Sequence, residues 1–231
     1  MRLTTPENIR TLQRKLYQKA KQEPGYRFYA LYDKVYRSDI LAHAYRLVKA
    51  AGGCAGADGR IFGDIEGSEG IAKFLAELGE ALRTKTYRAE AVLRVMIPKD
   101  NGSKRPLGIP TIRDRVAQMA AKTVIEPIFE ADFCDCSYGF RPKRSAHQAI
   151  DAIAEGMHQG YTQVIDADVS DYFGSSNRSR LSVFGSRFSR VRTPAPSTWL
   201  VASHGGKTAG GGENPRIWVQ NLHFVLWHQR A

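Results

Sequence analysis

The residues best suited to chemistry lie in Val164–Phe173, which reads Val-Ile-Asp-Ala-Asp-Val-Ser-Asp-Tyr-Phe. A short apolar stretch followed by acids is typical of a buried strand that ends at a site. Asp166 and Asp168 have the same parity, so both side chains leave one face of an extended strand, whereas Asp171 has the opposite parity. Two carboxylates on one face suit a hard cation such as Mg2+, which prefers oxygen ligands. An ordinary acidic strand-to-turn junction explains the same residues, and the segment alone does not decide between the two.

A second group of candidates flanks a predicted β-hairpin. Ala91–Ile97 has the β-branched, apolar character of a strand, and Lys104–Ile109 follows as its partner after the turn sequence at Asp100–Ser103. This hairpin places Lys99 and Arg105 on either side of its tip. Two cations there can hold a triphosphate, since arginine offers a bidentate fork and lysine a point charge. Charged hairpin tips also serve simply to keep a protein soluble, and both interpretations stay open.

The composition is that of a globular protein with a polyanionic partner. The chain has 231 residues, of which 42% are hydrophobic and 25% charged, and its net charge is +11. A strongly basic balance favours nucleic acid as the partner. No apolar run is long enough to span a bilayer, and the N-terminus has no apolar secretory core, so we expect a cytoplasmic protein. The segment after Phe173 contains eight lysine and arginine residues and one acid, Glu213, so it carries +7 of the total charge.

The cysteines indicate neither a disulfide framework nor a zinc site. There are three of them, Cys54, Cys134 and Cys136, an odd number that is too small for a disulfide scaffold. Cys134 and Cys136 lack the second pair of ligands that a structural zinc ion requires.

Mostly helical elements are predicted to position these candidates. Thr5 is expected to cap a first helix, with Pro6 at its first position and Arg14, Lys15 and Lys19 away from its apolar stripe. Two interpretations stay open for these cations: they bind phosphates, or they form a solvated surface. The aromatic-rich segment 26–36 favours core packing over base stacking. Further helices are predicted from Ser38 or Asp39 to Gly52-Gly53, from Ile71 to Leu82, from Ile112 to a stop near Pro127, and from Ser145 to about Gly156.

Several motifs, in order, resemble those of group II intron-encoded reverse transcriptases. The first runs from Lys99 through Arg105-Pro106-Leu107-Gly108-Ile109-Pro110-Thr111 to Asp114-Arg115 and Glu126-Pro127-Ile128-Phe129. It is followed by Ser137-Tyr138-Gly139-Phe140-Arg141-Pro142 with Ser145-Ala146-His147, and then by Val164–Phe173. Upstream, the stretch from Ala44-Tyr45 to Asp58-Gly59 is similar to the N-terminal extension of this family. The resemblance covers roughly residues 30–173.

The resemblance implies a role for each matching residue. Asp168 corresponds to the metal-binding aspartate of the first palm motif, and Val169 to the residue whose backbone carbonyl contacts the second Mg2+. Phe173 matches the aromatic that checks the sugar of the incoming nucleotide, while Lys99 and Arg105 match the residues that hold its triphosphate. Asp166 stands where the motif requires no acid.

The implied activity is RNA-directed DNA synthesis by two-metal phosphoryl transfer from deoxynucleoside triphosphates onto a DNA primer. Members of the family also bind their intron RNA as maturases. The basic first helix, with Arg14, Lys15 and Lys19, fits such an RNA contact.

The resemblance ends at Phe173, and the sequence contains no aspartate after Asp171. The last 58 residues are rich in serine, arginine and glycine, and we interpret the change as the product of a frameshift or a truncated gene copy. Two-metal catalysis needs the carboxylates of a second palm motif as well. We therefore expect an inactive fragment of a reverse transcriptase, or alternatively an RNA-binding remnant without catalysis.

The predicted fold class is α+β, with the fingers and a partial palm of a right-hand polymerase. We expect a helical N-terminal extension over residues 1–84, the fingers and start of the palm over 85–173, and an irregular, disordered tail outside the family over 174–231.

Overall fold

The computed structural model describes residues 3–98 and 102–160 of the chain. These residues fall into two units, one reaching to Asp132 and the other beginning at Phe133. The elements in chain order are α1 (Glu7–Gln22), α2 (Tyr32–Val35), α3 (Ser38–Ala51), α4 (Phe62–Asp64), a π-helical turn (Ile65–Glu69), α5 (Ile71–Arg83), β1 (Leu93–Pro98), β2 (Lys104–Ile109), α6 (Ile112–Asp132) and α7 (Ala146–His158). The described part is thus helix-rich with a small antiparallel sheet, in agreement with the predicted α+β class.

Helix α6 is the scaffold of the first unit. Helices α1, α2 and α3 all pack against it. Its fully buried side chains recur at helical spacing, which gives it one apolar face: Ile112, Val116, Ala120, Val124 and Ile128. The hairpin β1–β2 leads directly into its first turn, so α6 connects the helical bundle to the hairpin.

The predicted stop of α6 near Pro127 is wrong, because the helix continues to Asp132. Proline has no backbone N–H, so the carbonyl of Thr123, four residues earlier, loses its helical donor. Gln13 on α1 replaces that donor, with its side-chain amide nitrogen 3.0 Å from the Thr123 oxygen. Lys21 on α1 also donates to the carbonyl of Ala131 in the last turn, at 3.3 Å. Side chains from α1 therefore satisfy backbone groups that α6 alone leaves open.

Helix α1 has the predicted buried stripe but not the predicted cap. Ile9, Leu16 and Ala20 are buried. Pro6 occupies the N-cap position with φ −55° and ψ 147°, and no side chain caps the helix. The carbonyl of Pro6 accepts from the backbone N–H of Arg10 at 2.9 Å. Since Pro6 is outside the helix, Thr5 lies one residue too early to cap it.

Helices α3 and α5 are confirmed with small differences. Helix α3 ends before Gly52, whose φ of 71° requires a residue that tolerates the left-handed region. Neither predicted cap is used, because α3 already begins at Ser38 and its N-cap is Arg37. Helix α5 buries Phe74, Leu78 and Leu82, while Ile71 is exposed at its first turn.

The prediction that the aromatic segment packs into the core is right for Phe28 and wrong for Tyr29. The side chain of Phe28 is buried, whereas Tyr29 is 70% exposed. Tyr32 is anchored differently, through a hydrogen bond of 2.6 Å from its hydroxyl to the carbonyl of Leu82.

The hairpin and the last described helix agree closely with the prediction from the sequence. Strands β1 and β2 are antiparallel, with Leu93 opposite Ile109 and Ile97 opposite Arg105. Helix α7 begins after Ser145, which forms a capping box with Gln148. Over residues 3–98 and 102–160, no helix is both long and apolar enough to cross a membrane.

Candidate functional site

Arg105 on β2 is the candidate nucleotide-binding residue that the structure describes. It lies opposite Ile97, and cross-strand partners share a face of the sheet. The other positions of that face are apolar: Leu93, Val95, Leu107 and Ile109. The side chain of Arg105 is exposed and makes no hydrogen bond or ion pair within the described part of the chain. Its guanidinium is therefore a cation on an otherwise apolar face, and its predicted companion, Lys99, lies outside the described residues.

The base of the hairpin is fixed by Thr111 and Asp114 at the start of α6. The hydroxyl of Thr111 accepts from the backbone N–H of Asp114 at 3.2 Å and donates to the Asp114 carboxylate at 3.0 Å. Thr111 is fully buried and Asp114 is only 2% exposed. A buried carboxylate is tolerated when several donors satisfy it, and the remaining donors come from the segment before β1.

Tyr87 and Glu90 supply those donors. The hydroxyl of Tyr87 donates to one carboxylate oxygen of Asp114, and the backbone N–H of Glu90 donates to the other at 3.1 Å. Burial, and then the bond to Asp114, raise the pKa of the Tyr87 phenol, so it stays a donor at neutral pH. The guanidinium of Arg113 lies 5.3 Å from the centre of the Tyr87 ring. Asp114 thus joins the entry into β1 to the exit from β2.

The loop that follows α3 also packs against the hairpin base. A Cβ on Gly56 would lie 2.7 Å from backbone atoms of Thr111, so only glycine allows this close approach. Arg115 donates from Nη2 to the carbonyl of Cys54 at 2.7 Å. Sequence reasoning missed these positioning residues, although the spacing Thr111-x-x-Asp114 is a recognisable helix-start signal.

The three cations of α1 that the sequence singled out have different surroundings. Lys19 pairs with Glu23 at 2.5 Å, and its ammonium lies 4.3 Å from the centre of the Tyr26 ring. Arg14 has only a weak contact of 3.5 Å to the hydroxyl of Thr11. The side chain of Lys15 is exposed and has no hydrogen bond or ion pair among the described residues.

In the second unit, Arg141 organises the Ser-Tyr-Gly-Phe-Arg-Pro loop. Its Nη1 donates to the carbonyls of Cys134 and Ser137, both at 2.7 Å. Its guanidinium lies 4.9 Å from the centre of the Phe133 ring, and the residue is buried. Arg141 thus has a structural role in this loop.

Asp168, Val169 and Phe173 lie outside the described residues, so the structure does not place the predicted metal site. Within residues 3–98 and 102–160, no group of three or more histidine, cysteine, aspartate or glutamate side chains could hold a metal ion. The described cysteines are free thiols.

Comparison with known proteins gives one family match and several similar proteins. Residues 97–193 match the family described as reverse transcriptase (RNA-dependent DNA polymerase), so the match begins in β1 and extends twenty residues beyond Phe173. The chain is 38% identical over 171 residues to protein YkfC of Escherichia coli K12, covering 71% of this chain and 44% of that protein. It is also 38% identical over 149 residues to the group II intron-encoded protein LtrA of Lactococcus lactis, covering 63% of this chain and 24% of LtrA.

A third similarity is to nuclear intron maturase 1 of Arabidopsis thaliana, which is mitochondrial and 39% identical over 62 residues, covering 27% of this chain and 9% of the maturase. The hairpin β1–β2, helix α6 that follows it and the family match define part of a reverse transcriptase domain. Within that class, the similarities support a group II intron-encoded reverse transcriptase or maturase. It spans less than half the length of these relatives.

Proposed function

We propose that this chain supplies the fingers and the start of the palm of an RNA-directed DNA polymerase of the group II intron type. The N-terminal extension covers residues 1–84, and the fingers and first palm motif cover residues 85–173 of a right-hand fold. The family match ends at residue 193. It therefore includes part of the segment after residue 173, which was predicted to lie outside the family. Such a protein works on intron RNA, a DNA primer and deoxynucleoside triphosphates, in the cytoplasm.

The observation that carries this proposal is the exposed guanidinium of Arg105 on a hairpin with a rigid base. Asp114 is buried and accepts from Thr111, Tyr87 and Glu90, which fixes both ends of the hairpin. A cation on such an element can bind a triphosphate without the entropy cost of ordering its backbone. Lys99 would add a second positive charge, and arginine in particular suits the bidentate geometry of phosphate oxygens.

Binding of a deoxynucleoside triphosphate to variants of the full chain tests this role. Arg105→Ala is expected to weaken binding about tenfold or more, the usual effect of losing one charge-assisted hydrogen bond. Arg94→Ala is the matched control, because Arg94 is an exposed arginine of β1 that pairs with Gly108 on the other face. Titration calorimetry gives both affinities, and equal losses in the two variants would contradict the assignment of Arg105.

The palm motif would supply the metal chemistry. Asp168 offers a carboxylate and Val169 a backbone carbonyl, both oxygen ligands of the type that Mg2+ prefers, and Phe173 would contact the sugar of the nucleotide. Bound Mg2+ neutralises charge on the transferring phosphate. The donor set is incomplete in this sequence, because no aspartate follows Asp171.

The incomplete donor set favours the alternative that this chain binds RNA without catalysis. Primer extension on poly(rA)/oligo(dT) with Mg2+ is therefore expected to give no product. Clear incorporation of nucleotides would show that the chain carries a working metal site.

The RNA-binding role rests on Arg14, Lys15 and Lys19 of α1. Phosphate contacts release counterions, so binding of a structured group II intron RNA is expected to weaken steeply with salt. Replacing all three cations by glutamine is expected to lower the affinity and flatten the salt dependence. An unchanged slope would remove α1 from the RNA contact.

A further inference from the structure

An aromatic and basic surface follows the end of α1, and we call it the Tyr26–Tyr29 patch. It consists of Tyr26 and Tyr29 together with Lys15, Lys19 and Arg27. Tyr29 is 70% exposed, and its ring centre lies 6.2 Å from that of Tyr26 with an angle of 39° between the ring planes. A large aromatic side chain exposed to this degree contributes little to the core.

Neighbouring residues hold the ring of Tyr26 in place. Tyr26 makes an edge contact with the buried ring of Phe28, with 5.0 Å between the ring centres. The Lys19 ammonium lies 4.3 Å from the centre of the Tyr26 ring. The neighbouring phenol of Tyr29 raises the pKa of the Tyr26 phenol. The orientation of the Tyr26 ring is therefore largely set before any ligand binds, and Tyr29 presents exposed aromatic surface beside it.

The charge around these rings is positive. Lys15 and Lys19 are one turn apart and thus share a flank of α1. Arg27 is exposed and has no hydrogen bond or ion pair in the described part of the chain. Glu23 offsets one of these charges through its pair with Lys19. Exposed rings beside a row of cations are the combination with which proteins bind single-stranded nucleic acid, as bases stack on the rings and phosphates meet the cations.

We propose that the Tyr26–Tyr29 patch binds an unpaired base of RNA, with Tyr29 as the stacking surface and Lys15 and Lys19 as the phosphate contacts. The inference rests on the proposed RNA-binding function and narrows its substrate to RNA with unpaired bases. The bases of a duplex are stacked on one another and cannot reach the ring. Stacking also tolerates any base, because every base has a π-face.

Fluorescence anisotropy of the full chain with two labelled probes tests the inference. One probe is a single-stranded oligoadenylate, and the other is its duplex with oligouridylate of the same length, both at one fixed ionic strength. Tyr29→Ala is expected to weaken binding of the single strand about tenfold and to leave duplex binding unchanged. Tyr29→Phe is expected to bind both probes like the wild type, because the phenyl ring still stacks.

Two further variants separate stacking from other effects. Tyr17→Ala removes a 38% exposed tyrosine two residues before Lys19, about 200° around the helix, and is expected to change neither affinity. Lys15→Gln is expected to weaken both probes alike, since phosphates occur in both. Because Tyr29 is exposed, circular dichroism of Tyr29→Ala should match that of the wild type.

The outcomes distinguish failure of the inference from failure of the proposed function. Wild-type binding to duplex and intron RNA, with no selective effect of Tyr29→Ala on the single strand, overturns the inference alone. A wild-type chain that binds none of the RNAs overturns the RNA-binding function and the inference with it. If Tyr29→Ala instead abolishes self-association in sedimentation and leaves RNA binding intact, the patch is an interface between copies and the inference is wrong.

Discussion

The hydrogen bond from Gln13 to Thr123 allows a quantitative test of how α1 supports α6. Pro127 cannot donate to the carbonyl of Thr123, and the side-chain amide of Gln13 does so at 3.0 Å. Thr123 is buried, at 5% exposure, so its carbonyl has little access to water in the absence of Gln13. Gln13→Ala leaves a buried acceptor unsatisfied, which costs about 1–3 kcal/mol. We expect the free energy of unfolding to fall by an amount in this range.

A double-mutant cycle with Pro127→Ala isolates that contribution. Alanine at 127 restores a backbone N–H that can donate to Thr123 within α6. In this background Gln13→Ala is expected to cost less than about 0.5 kcal/mol, since the carbonyl already has a donor. The coupling between the two positions is therefore expected to be about 0.5–3 kcal/mol, the range measured for residues in one hydrogen-bond network. The coupling does not depend on the packing that Pro127→Ala itself changes, because that effect cancels in the cycle.

Thermal unfolding of the full chain, followed by far-ultraviolet circular dichroism, measures these differences. For a protein of this size, each kcal/mol lowers the unfolding midpoint by about 2–4 °C. Gln18→Ala is the matched control, because it changes the same residue type on the exposed face of α1. A cost of Gln13→Ala that is the same with proline or alanine at 127, or no larger than that of Gln18→Ala, would refute the reasoning.

Three further predictions concern the base of the hairpin. Asp114→Ala leaves its three donors without an acceptor and is expected to lower stability by about 2–4 kcal/mol, measured by urea unfolding. The raised pKa of Tyr87 means that its stabilising effect is present below the usual phenol pKa of about 10 and lost as the pH rises above it, so stability should fall less with alkaline pH in Tyr87→Phe. Parallel pH profiles of the two proteins would contradict this. Gly56→Ala places a Cβ 2.7 Å from the Thr111 backbone and is expected to lower the unfolding midpoint, whereas Gly25→Ala, with nothing within 4 Å, serves as the neutral control.

Local sequence signals were enough to predict most elements of the fold. The turn at Asp100–Ser103 between two β-prone segments fixed the hairpin, and the bounds of its second strand are those of the structure. Gly52 marked the end of α3, and Ser145 marked the start of α7. Each of these signals acts within a few residues of the backbone groups that it satisfies.

The features that the sequence failed to predict depend on contacts between distant segments. Proline in a helix interior predicts a break, and α6 continues because Gln13, more than a hundred residues earlier, supplies the missing donor. Tyr29 and Phe28 are adjacent aromatic residues, yet one is exposed and the other buried, which depends on how the segment packs after α1. Such outcomes follow from tertiary packing, which overrides local preference.

The polar residues that match the family motifs divide into two classes by the hydrogen bonds they already make. Asp114, Arg115 and Arg141 are held by partners within the fold, so their polar groups position the hairpin base and the loop after α6. The side chain of Arg105 has no hydrogen bond or ion pair among the described residues and remains exposed. A side chain that already donates to groups within the fold would lose those bonds on binding a ligand, and leaving their acceptors unsatisfied costs free energy. The side chain of Arg105 has no such bonds to lose. It is therefore the described motif residue best suited to bind a nucleotide.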